Sequence, residues 1–370
     1  MKNEKWLGTI FLITVSILVA IGISTLASVS YPIGQRNMDK GYYYLLLQLV
    51  WVVLGFISFF ITSKIDYKKY RGKEPLYFFI GILLLVMVLI TGVKVKGAIR
   101  WIKIGPVSIQ PSEFVKLSLI LFLSGLIANY KKKKQTEKNI KKMVSTASIL
   151  TLFYVILIIL EKSFSSTLQI IIIFLTILFV IGISWKYIAV ILGFLSTAGI
   201  IFVLREPYRL QRIFTFVGKG SKDDEFQINQ ALIAIGSGEV FGKSYGRGLQ
   251  KYFYIPEIHT DYIFSGYAEE YGFIGTIFLI LLYLVLLGVI FKAILKIKDI
   301  YGKMILIGIF TMLATQILGH IYINLRLIPS TGITLPLLSY GGSTTLVVMA
   351  SLGIVYNIIK SIYKEEEING

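Results

Sequence analysis

The sequence places an acidic residue at the edge of a predicted membrane helix, where a charged side chain is energetically unfavourable. The stretch 255–275 reads IPEIHTDYIFSGYAEEYGFIG, so Asp261 opens a long apolar run. An Asp at the centre of a membrane helix costs roughly 2.5 to 3.5 kcal/mol on insertion scales, and such residues are functional hypotheses by default. An ionised Asp is suited to act as a general base. The alternative is an Asp that only caps the helix.

Neighbouring residues are placed by the helical repeat of about 100° per residue. If a helix begins near Asp261, Ser265 and Ala268 share its face, and Glu269 lies about 80° round. Glu270 points away. The pattern therefore predicts Glu269 as a possible assistant of Asp261 and Glu270 as a structural residue.

A second charged pair lies in the segment 97–116, which reads GAIRWIKIGPVSIQPSEFVK. Glu113 and Lys116 are three residues apart, so on a helix they share a face and form an ion pair. That pair alone would only lower the cost of placing two charges in a membrane helix. Trp101 is either an interfacial aromatic anchor or a residue that stacks over a sugar or a diphosphate.

Irregular backbone is predicted for residues 327–343, which read LIPSTGITLPLLSYGGS and include Ser339. Two prolines and three glycines among apolar residues cannot continue a helix. Backbone of this kind occurs at membrane depth only when it is buried in protein or lines a cavity. We therefore expect this segment to form a cavity wall.

Positive side chains are concentrated between residues 204 and 262. Arginine suits bidentate capture of phosphate oxygens, which indicates an anionic substrate that carries a diphosphate, although lipid headgroups would fit the same charges. The residues are Arg205, Arg209, Arg212, Lys243, Arg247 and Lys251.

The elements that position these residues are membrane helices. The chain of 370 residues is 55% hydrophobic and 16% charged, with a mean hydropathy of +0.75, which excludes an ordinary soluble protein. Apolar runs of about 20 residues are long enough to cross a bilayer. The fold class is predicted as an all-α polytopic membrane protein with about ten spans: 7–27, 43–62, 75–93, 113–129, 143–160, 167–183, 187–204, 262–291, 304–325 and 343–359.

The charge distribution predicts the orientation. Most Lys and Arg of the short loops fall on one side, so the positive-inside rule places both termini in the cytoplasm. The net charge of +18 is therefore a topology signal rather than a nucleic-acid surface. The whole chain, 1–370, is predicted to be one membrane domain, with a long extracellular loop at 204–262 between helices 7 and 8.

Cofactor chemistry is bounded by two absences. The sequence has no cysteine and only two histidines, His259 and His320, so thiolate chemistry is excluded and the histidines alone make no metal site. No cofactor is implied. A divalent cation such as Mg²⁺ stays open, because carboxylates and a diphosphate can share it without a motif.

Five segments together resemble the SEDS family, the RodA/FtsW/SpoVE group of cell-wall proteins, across essentially the whole chain. In order, they read GAIRWI, QPSEFVK, IGSGEVFGKSYGRG, IPEIHTDYIFSGYAEEYGFIG and IPSTGITLPLLSYGGS. The resemblance implies a peptidoglycan glycosyltransferase of the bacterial cytoplasmic membrane that polymerises lipid II on the outer face. It also implies a class B penicillin-binding protein as the transpeptidase partner, in elongation, division or sporulation.

The resemblance also implies residue roles. Asp261 would deprotonate the acceptor sugar 4-hydroxyl, so that attack on the anomeric carbon expels undecaprenyl diphosphate with inversion. Lys116 and Arg212 would provide diphosphate or cavity electrostatics. The other positions that match the family and are expected to support the site are Trp101, Glu113, His259, Thr260, Glu269 and Ser339.

One string departs from the family pattern. After the fifth span the family usually has a Pro-Asp-aliphatic-Gly-Thr-like string, whereas residues 161–167 read EKSFSST. Ser163 stands where the Asp is expected, and Glu161 is the candidate replacement. This departure keeps a non-catalytic scaffold open as an alternative. A flippase of the lipid-linked precursor is a second alternative, because it also predicts ten spans and a cavity; it would need charges in the middle of several spans, whereas most acidic residues here lie in loops or at span ends, which favours chemistry at the interface.

Overall fold

The computed structural model describes residues 5–95, 97–105, 107–131, 137–193, 214–216 and 222–369. Within these ranges the chain is mainly helical. A 3-10 turn lies at Tyr67–Tyr70, and residues 185–193 form a short helical stretch that is not numbered below. The ten labelled helices are α1 Lys5–Met38, α2 Tyr43–Lys64, α3 Glu74–Thr91, α4 Pro111–Lys131, α5 Glu137–Leu160, α6 Phe164–Val180, α7 Lys222–Ser237, α8 Ile263–Lys296, α9 Ile300–Asn324 and α10 Gly342–Asn369.

Eight helices among the described residues are long and apolar enough to cross a membrane, namely α1 to α5 and α8 to α10. Each corresponds to a predicted span. The predicted sixth span is the shorter helix α6, of 17 residues. The predicted seventh begins in the stretch 185–193, and its remainder lies outside the described residues. The polytopic helical class is confirmed, and the count of ten spans stays a prediction.

The helices differ in how much of their apolar surface faces protein. In their most apolar windows, 78% of residues are buried in α4, 72% in α9 and 67% in α10, against 22% in α2 and 28% in α8. A membrane helix with few buried residues presents its apolar side chains to lipid. The centre of the bundle is therefore built from α4, α9 and α10.

A small antiparallel sheet precedes α4. Its strands are β1 Val93–Val95, β2 Ala98–Ile104 and β3 Val107–Ile109, in the order β1-β2-β3. Gly97 lies between β1 and β2 with a φ of 80°, a left-handed conformation that favours glycine. We expected a loop here, so the strands are an addition to the all-helical prediction.

Helix α8 is broken at Gly272, where φ is 66° and ψ is −166°. The loop after α7 binds the backbone at this break: Phe273 N donates to Glu239 O at 2.8 Å, and Ile274 N donates to Val240 O at 3.2 Å. A helix that breaks inside a membrane needs such partners, because lipid offers none.

Candidate active site

Asp261 lies just before the start of α8. Its backbone N–H donates to Glu257 O at 3.0 Å, and the side chain is half-buried. Tyr262 occupies the N-cap position of α8 and makes no side-chain cap. Asp261 is therefore one residue outside the cap, at the end of the helix where the macrodipole favours an anion.

Hydrogen bonds to three successive backbone carbonyls hold residues 259–261 in place. Tyr340 N donates to His259 O at 2.9 Å. Ser339 Oγ donates to Thr260 O at 2.7 Å, and Asn324 Nδ2 donates to Asp261 O at 3.0 Å. We call this set of three hydrogen bonds the carbonyl clamp. It brings the predicted residues His259, Thr260, Asp261 and Ser339 together in one place.

The irregular segment 327–341 supplies two members of the clamp and also lies beside the Asp261 carboxylate. It is non-helical, as expected; its buried residues lie within 333–339, whereas Gly332 is exposed. Gly332 has a φ of 73°, and a Cβ added there would lie 3.6 Å from Asp261 Oδ2. The backbone at Gly332 therefore forms one side of the space around this carboxylate.

Glu113 and Lys116 form the expected ion pair, with Lys116 Nζ 2.7 Å from Glu113 Oε1. Lys116 is only 1% exposed, and its Nζ also donates to Gln169 Oε1 at 2.7 Å. On the other side, Thr344 Oγ1 donates to Glu113 Oε2 at 3.1 Å. Both buried charges thus have each other and one further polar partner, which offsets the cost of burying them.

The buried ion pair is connected to the irregular segment. Thr334 Oγ1 donates to Thr344 Oγ1 at 3.4 Å, two residues after Gly332. A chain of polar contacts therefore runs from Lys116 through Glu113 and Thr344 to the hydroxyl of Thr334, in the same irregular segment as Gly332.

Glu269, the predicted assistant, has loop residues as its partners. Its carboxylate accepts from Lys243 Nζ at 3.0 Å, from Leu249 N at 2.8 Å and from Gln250 N at 3.2 Å. These contacts attach the loop 238–251 to α8. The geometry therefore supports an anchoring role, and assistance to Asp261 stays a prediction.

Glu270 anchors the same loop through Lys251. Lys251 Nζ donates to Glu270 Oε1 at 2.8 Å, to Ser28 Oγ at 2.7 Å and to Gly246 O at 2.7 Å. This buried cluster joins α1, the loop and α8. Lys243 and Lys251, which we expected to meet a diphosphate, are thus engaged with protein carboxylates.

The remaining predicted residues lie elsewhere. Trp101 is half-buried on β2, opposite Val93 of β1. Its neighbour Arg100 donates to the carbonyl of Lys162, in the connection between α5 and α6. Arg212 lies outside the described residues.

The departure at Ser163 has a structural counterpart. Ser163 Oγ donates to Ser166 Oγ at 3.0 Å, which donates to Ser112 Oγ at 3.3 Å. Glu161 is fully buried, and neither of its carboxylate oxygens has a hydrogen-bond partner in the part of the chain that the structure describes. Burial raises the pKa of Glu161 to about 8, and the Arg100 guanidinium acts in the opposite direction.

The acidic and histidine side chains of the described ranges do not gather into a metal site. These ranges contain no group of three or more His, Asp or Glu side chains that could hold an ion. The expectation that carboxylates and a diphosphate could share a divalent cation stays a prediction.

Sequence reasoning missed the partners that complete the site. Asn324 and His320 lie one helical turn apart in the apolar helix α9, and residues at i and i+4 share one helix face; two polar residues on one face of an apolar helix were the available signal. Gln169 and Thr344 carried no local signal, because their partner residues are distant in sequence.

Known proteins match this chain over nearly its whole length. The family model described as "Cell cycle protein", which covers FtsW, RodA and SpoVE, matches residues 8–364. Stage V sporulation protein E of Bacillus subtilis (strain 168) is 35% identical over 364 residues, covering 97% of this chain and 98% of that protein. A Hydrogenovibrio crunogenus protein named "Probable peptidoglycan glycosyltransferase FtsW" is 32% identical over 364 residues, covering 96% of this chain and 92% of that protein.

Solved structures show the same architecture. A chain from a peptidoglycan synthase complex, described as coordinating polymerization and crosslinking, superposes with a TM-score of 0.78 at 26% identity, covering 96% of this chain and 98% of that chain. The rod shape determining protein RodA of Thermus thermophilus gives a TM-score of 0.70 at 26% identity, covering 95% and 96% respectively. The chain therefore belongs to the FtsW, RodA and SpoVE family.

Proposed function

We propose that this chain is a peptidoglycan glycosyltransferase that polymerises lipid II, with Asp261 as its general base. Relatives that match nearly the whole chain carry the name of that enzyme. The observation that carries the assignment of the base is the carbonyl clamp, which fixes the backbone of a half-buried Asp at the start of α8.

The proposed reaction is an inverting displacement. The Asp261 carboxylate accepts the proton of the acceptor sugar 4-hydroxyl, and the sugar oxygen attacks the anomeric carbon of the donor. The new glycosidic bond forms as the bond from that carbon to the diphosphate breaks, and undecaprenyl diphosphate leaves with the electron pair. General base catalysis of this kind contributes about 10²- to 10⁴-fold in rate.

The surrounding residues have supporting roles in this proposal. Lys116 is buried with both of its partners, so it acts on the site through its charge and through the polar contacts that reach Thr334. His259 packs its ring against Tyr44 at 4.7 Å and keeps the clamped tripeptide in place. Trp101 on β2 is a candidate for sugar contact, and Arg212 for diphosphate contact.

Location and partner follow the same proposal. The chain is one multi-pass domain of the bacterial cytoplasmic membrane, with Asp261 on the outer face. The similarity to a chain of a synthase complex that combines polymerization with crosslinking supports a class B penicillin-binding protein as the partner.

The test is polymerisation of labelled lipid II by the purified full chain in liposomes, with its partner transpeptidase. Asp261→Asn should reduce the rate by at least about 100-fold. Asp39→Asn is the matched control, because Asp39 is exposed and its carboxylate accepts a hydrogen bond from the exposed Gln35 at 3.1 Å; it should keep the wild-type rate.

Two results would contradict the proposal. Wild-type polymer formation by Asp261→Asn would exclude Asp261 as the base. Absence of polymer with the wild type, combined with movement of the labelled precursor across the liposome membrane, would instead support the flippase.

A further inference from the structure

We infer that the last turn of α9, through Asn324 and His320, positions Asp261 for proton transfer. Asn324 is 1% exposed and uses its whole side-chain amide. Its Oδ1 accepts from Ser265 N at 3.1 Å and from Ser265 Oγ at 2.8 Å, while its Nδ2 donates to Asp261 O at 3.0 Å and to His320 O at 2.8 Å.

These four contacts fix the orientation of the amide. An Asn side chain offers two donors and two acceptor lone pairs, and here all four are used. Reversing the amide would place its NH₂ group against the Ser265 N–H and its oxygen against two carbonyls, so only one orientation is compatible with the partners. The four hydrogen bonds of the Asn324 amide therefore set the distance from α9 to the Asp261 backbone.

His320 acts on the other side of Asp261. Its Nδ1 lies 2.7 Å from Ile333 O, and because a carbonyl only accepts, Nδ1 carries the proton. This bond holds Ile333, the residue after Gly332, whose backbone adjoins the Asp261 carboxylate. His320 is fully buried, and its Nε2 has no hydrogen-bond partner among the described residues.

The two residues therefore hold two different parts of the site. Asn324 holds the backbone of Asp261, and His320 holds the irregular segment beside the Asp261 carboxylate. Their spacing of four residues spans about 6 Å along one helix, and the Asn324–His320 contact ties them together. Because α9 is 72% buried in its most apolar window, it provides a rigid reference for both.

The position of the Asp261 carboxylate affects the rate, because proton transfer depends on where the base lies relative to the acceptor hydroxyl. A misplacement of about 1 Å costs up to about 100-fold in rate. Asn324 and His320 are positioning residues and make no contact with substrate in this proposal, so their loss should lower kcat and leave KM nearly unchanged. The inference rests on the proposed role of Asp261.

The experiment measures kcat and KM for lipid II polymerisation by the full chain with its partner. Asn324→Leu removes the amide at similar volume, and Asn324→Ser removes its reach without adding an apolar group. We expect both to lower kcat by about 10- to 100-fold, with KM within about twofold of wild type. Thr311→Val is the matched control, because within the described part of the chain the Thr311 hydroxyl donates to Ile307 O of its own helix, at 2.9 Å, and to nothing in the site.

A second pair of variants tests His320 by conservative rescue. His320→Leu removes the donor to Ile333, whereas the amide nitrogen of His320→Asn can occupy the place of Nδ1. We expect His320→Leu to lose about tenfold in kcat and His320→Asn to keep most of it. A general loss of packing would affect both alike.

The outcomes separate the two proposals. Wild-type kcat in a folded Asn324 variant, with Asp261→Asn inactive, overturns the positioning role alone. Wild-type rates in Asp261→Asn overturn the general base itself. If neither Asn324 variant folds, the His320 pair decides: equal kcat in His320→Leu and His320→Asn overturns the inference.

Discussion

Removing the charge of Lys116 should destabilise the membrane bundle strongly. At an effective dielectric of about 20, unit charges at the observed 2.7 Å attract by about 6 kcal/mol. Much of this attraction only offsets the cost of burying the two charges. Removing one partner leaves the other uncompensated, which costs about 3–5 kcal/mol. We therefore expect Lys116→Met to lower the free energy of unfolding by about that amount.

The assay is reversible chemical unfolding of the purified chain in detergent micelles, as a double-mutant cycle with Glu113→Gln. The double variant no longer contains a lone charge, so it should be more stable than Lys116→Met. The control is Lys141→Met, which breaks the exposed ion pair between Lys141 and Glu137 and should leave the unfolding midpoint at the wild-type value.

Two results would refute this reasoning. If Lys116→Met unfolds at the wild-type midpoint, the ion pair carries no stability. If the effects of Lys116→Met and Glu113→Gln simply add, the two charges are not coupled, and the burial of Lys116 has another cause.

Two further predictions concern stability. The pKa of Glu161 is about 8 in the folded chain against an ordinary value of 4.5, so wild-type stability is fully present below pH 4.5 and declines as pH rises towards 8, by at most about 1.4 kcal/mol per pH unit. Glu161→Gln should remove this decline, and melting temperatures of both proteins at pH 5 and pH 8 check it; parallel shifts would contradict it. Gly272→Ala should cost about 1–3 kcal/mol through its positive φ, with a Cβ only 2.2 Å from Gly242 N. Gly288→Ala in the same helix, with open space around it, should not destabilise the chain in the same melting assay.

Local patterns predicted the parts of the site that depend on neighbours in sequence. The spacing of Glu113 and Lys116 predicted their ion pair, and the prolines and glycines of 327–343 predicted irregular backbone. The strands β1 and β2 were missed although Val93, Lys94 and Val95 alternate as a strand does. The segment is short, and its position between two spans favoured a loop.

Contacts between distant segments could not be predicted. The angle of about 80° assigned to Glu269 assumed one continuous helix from Asp261, whereas α8 begins at Ile263 and leaves Asp261 outside the helix. The partners of Glu269 come from a loop about 20 residues earlier, and helical periodicity contains no information about them. Asn324 shows the same limit, because its role appears only once α8 and α9 are packed together.

The hydrogen bonds of the carbonyl clamp do not depend on which side chain stands at position 261. All three of its hydrogen bonds end on main-chain oxygens of residues 259–261, and every residue type supplies that oxygen. A substitution at position 261 therefore preserves the clamp bonds while changing the reactive group. If Asp261 is the proposed base, a single substitution at this position would give a correctly assembled but inactive chain, and that chain would still compete for the proposed partner.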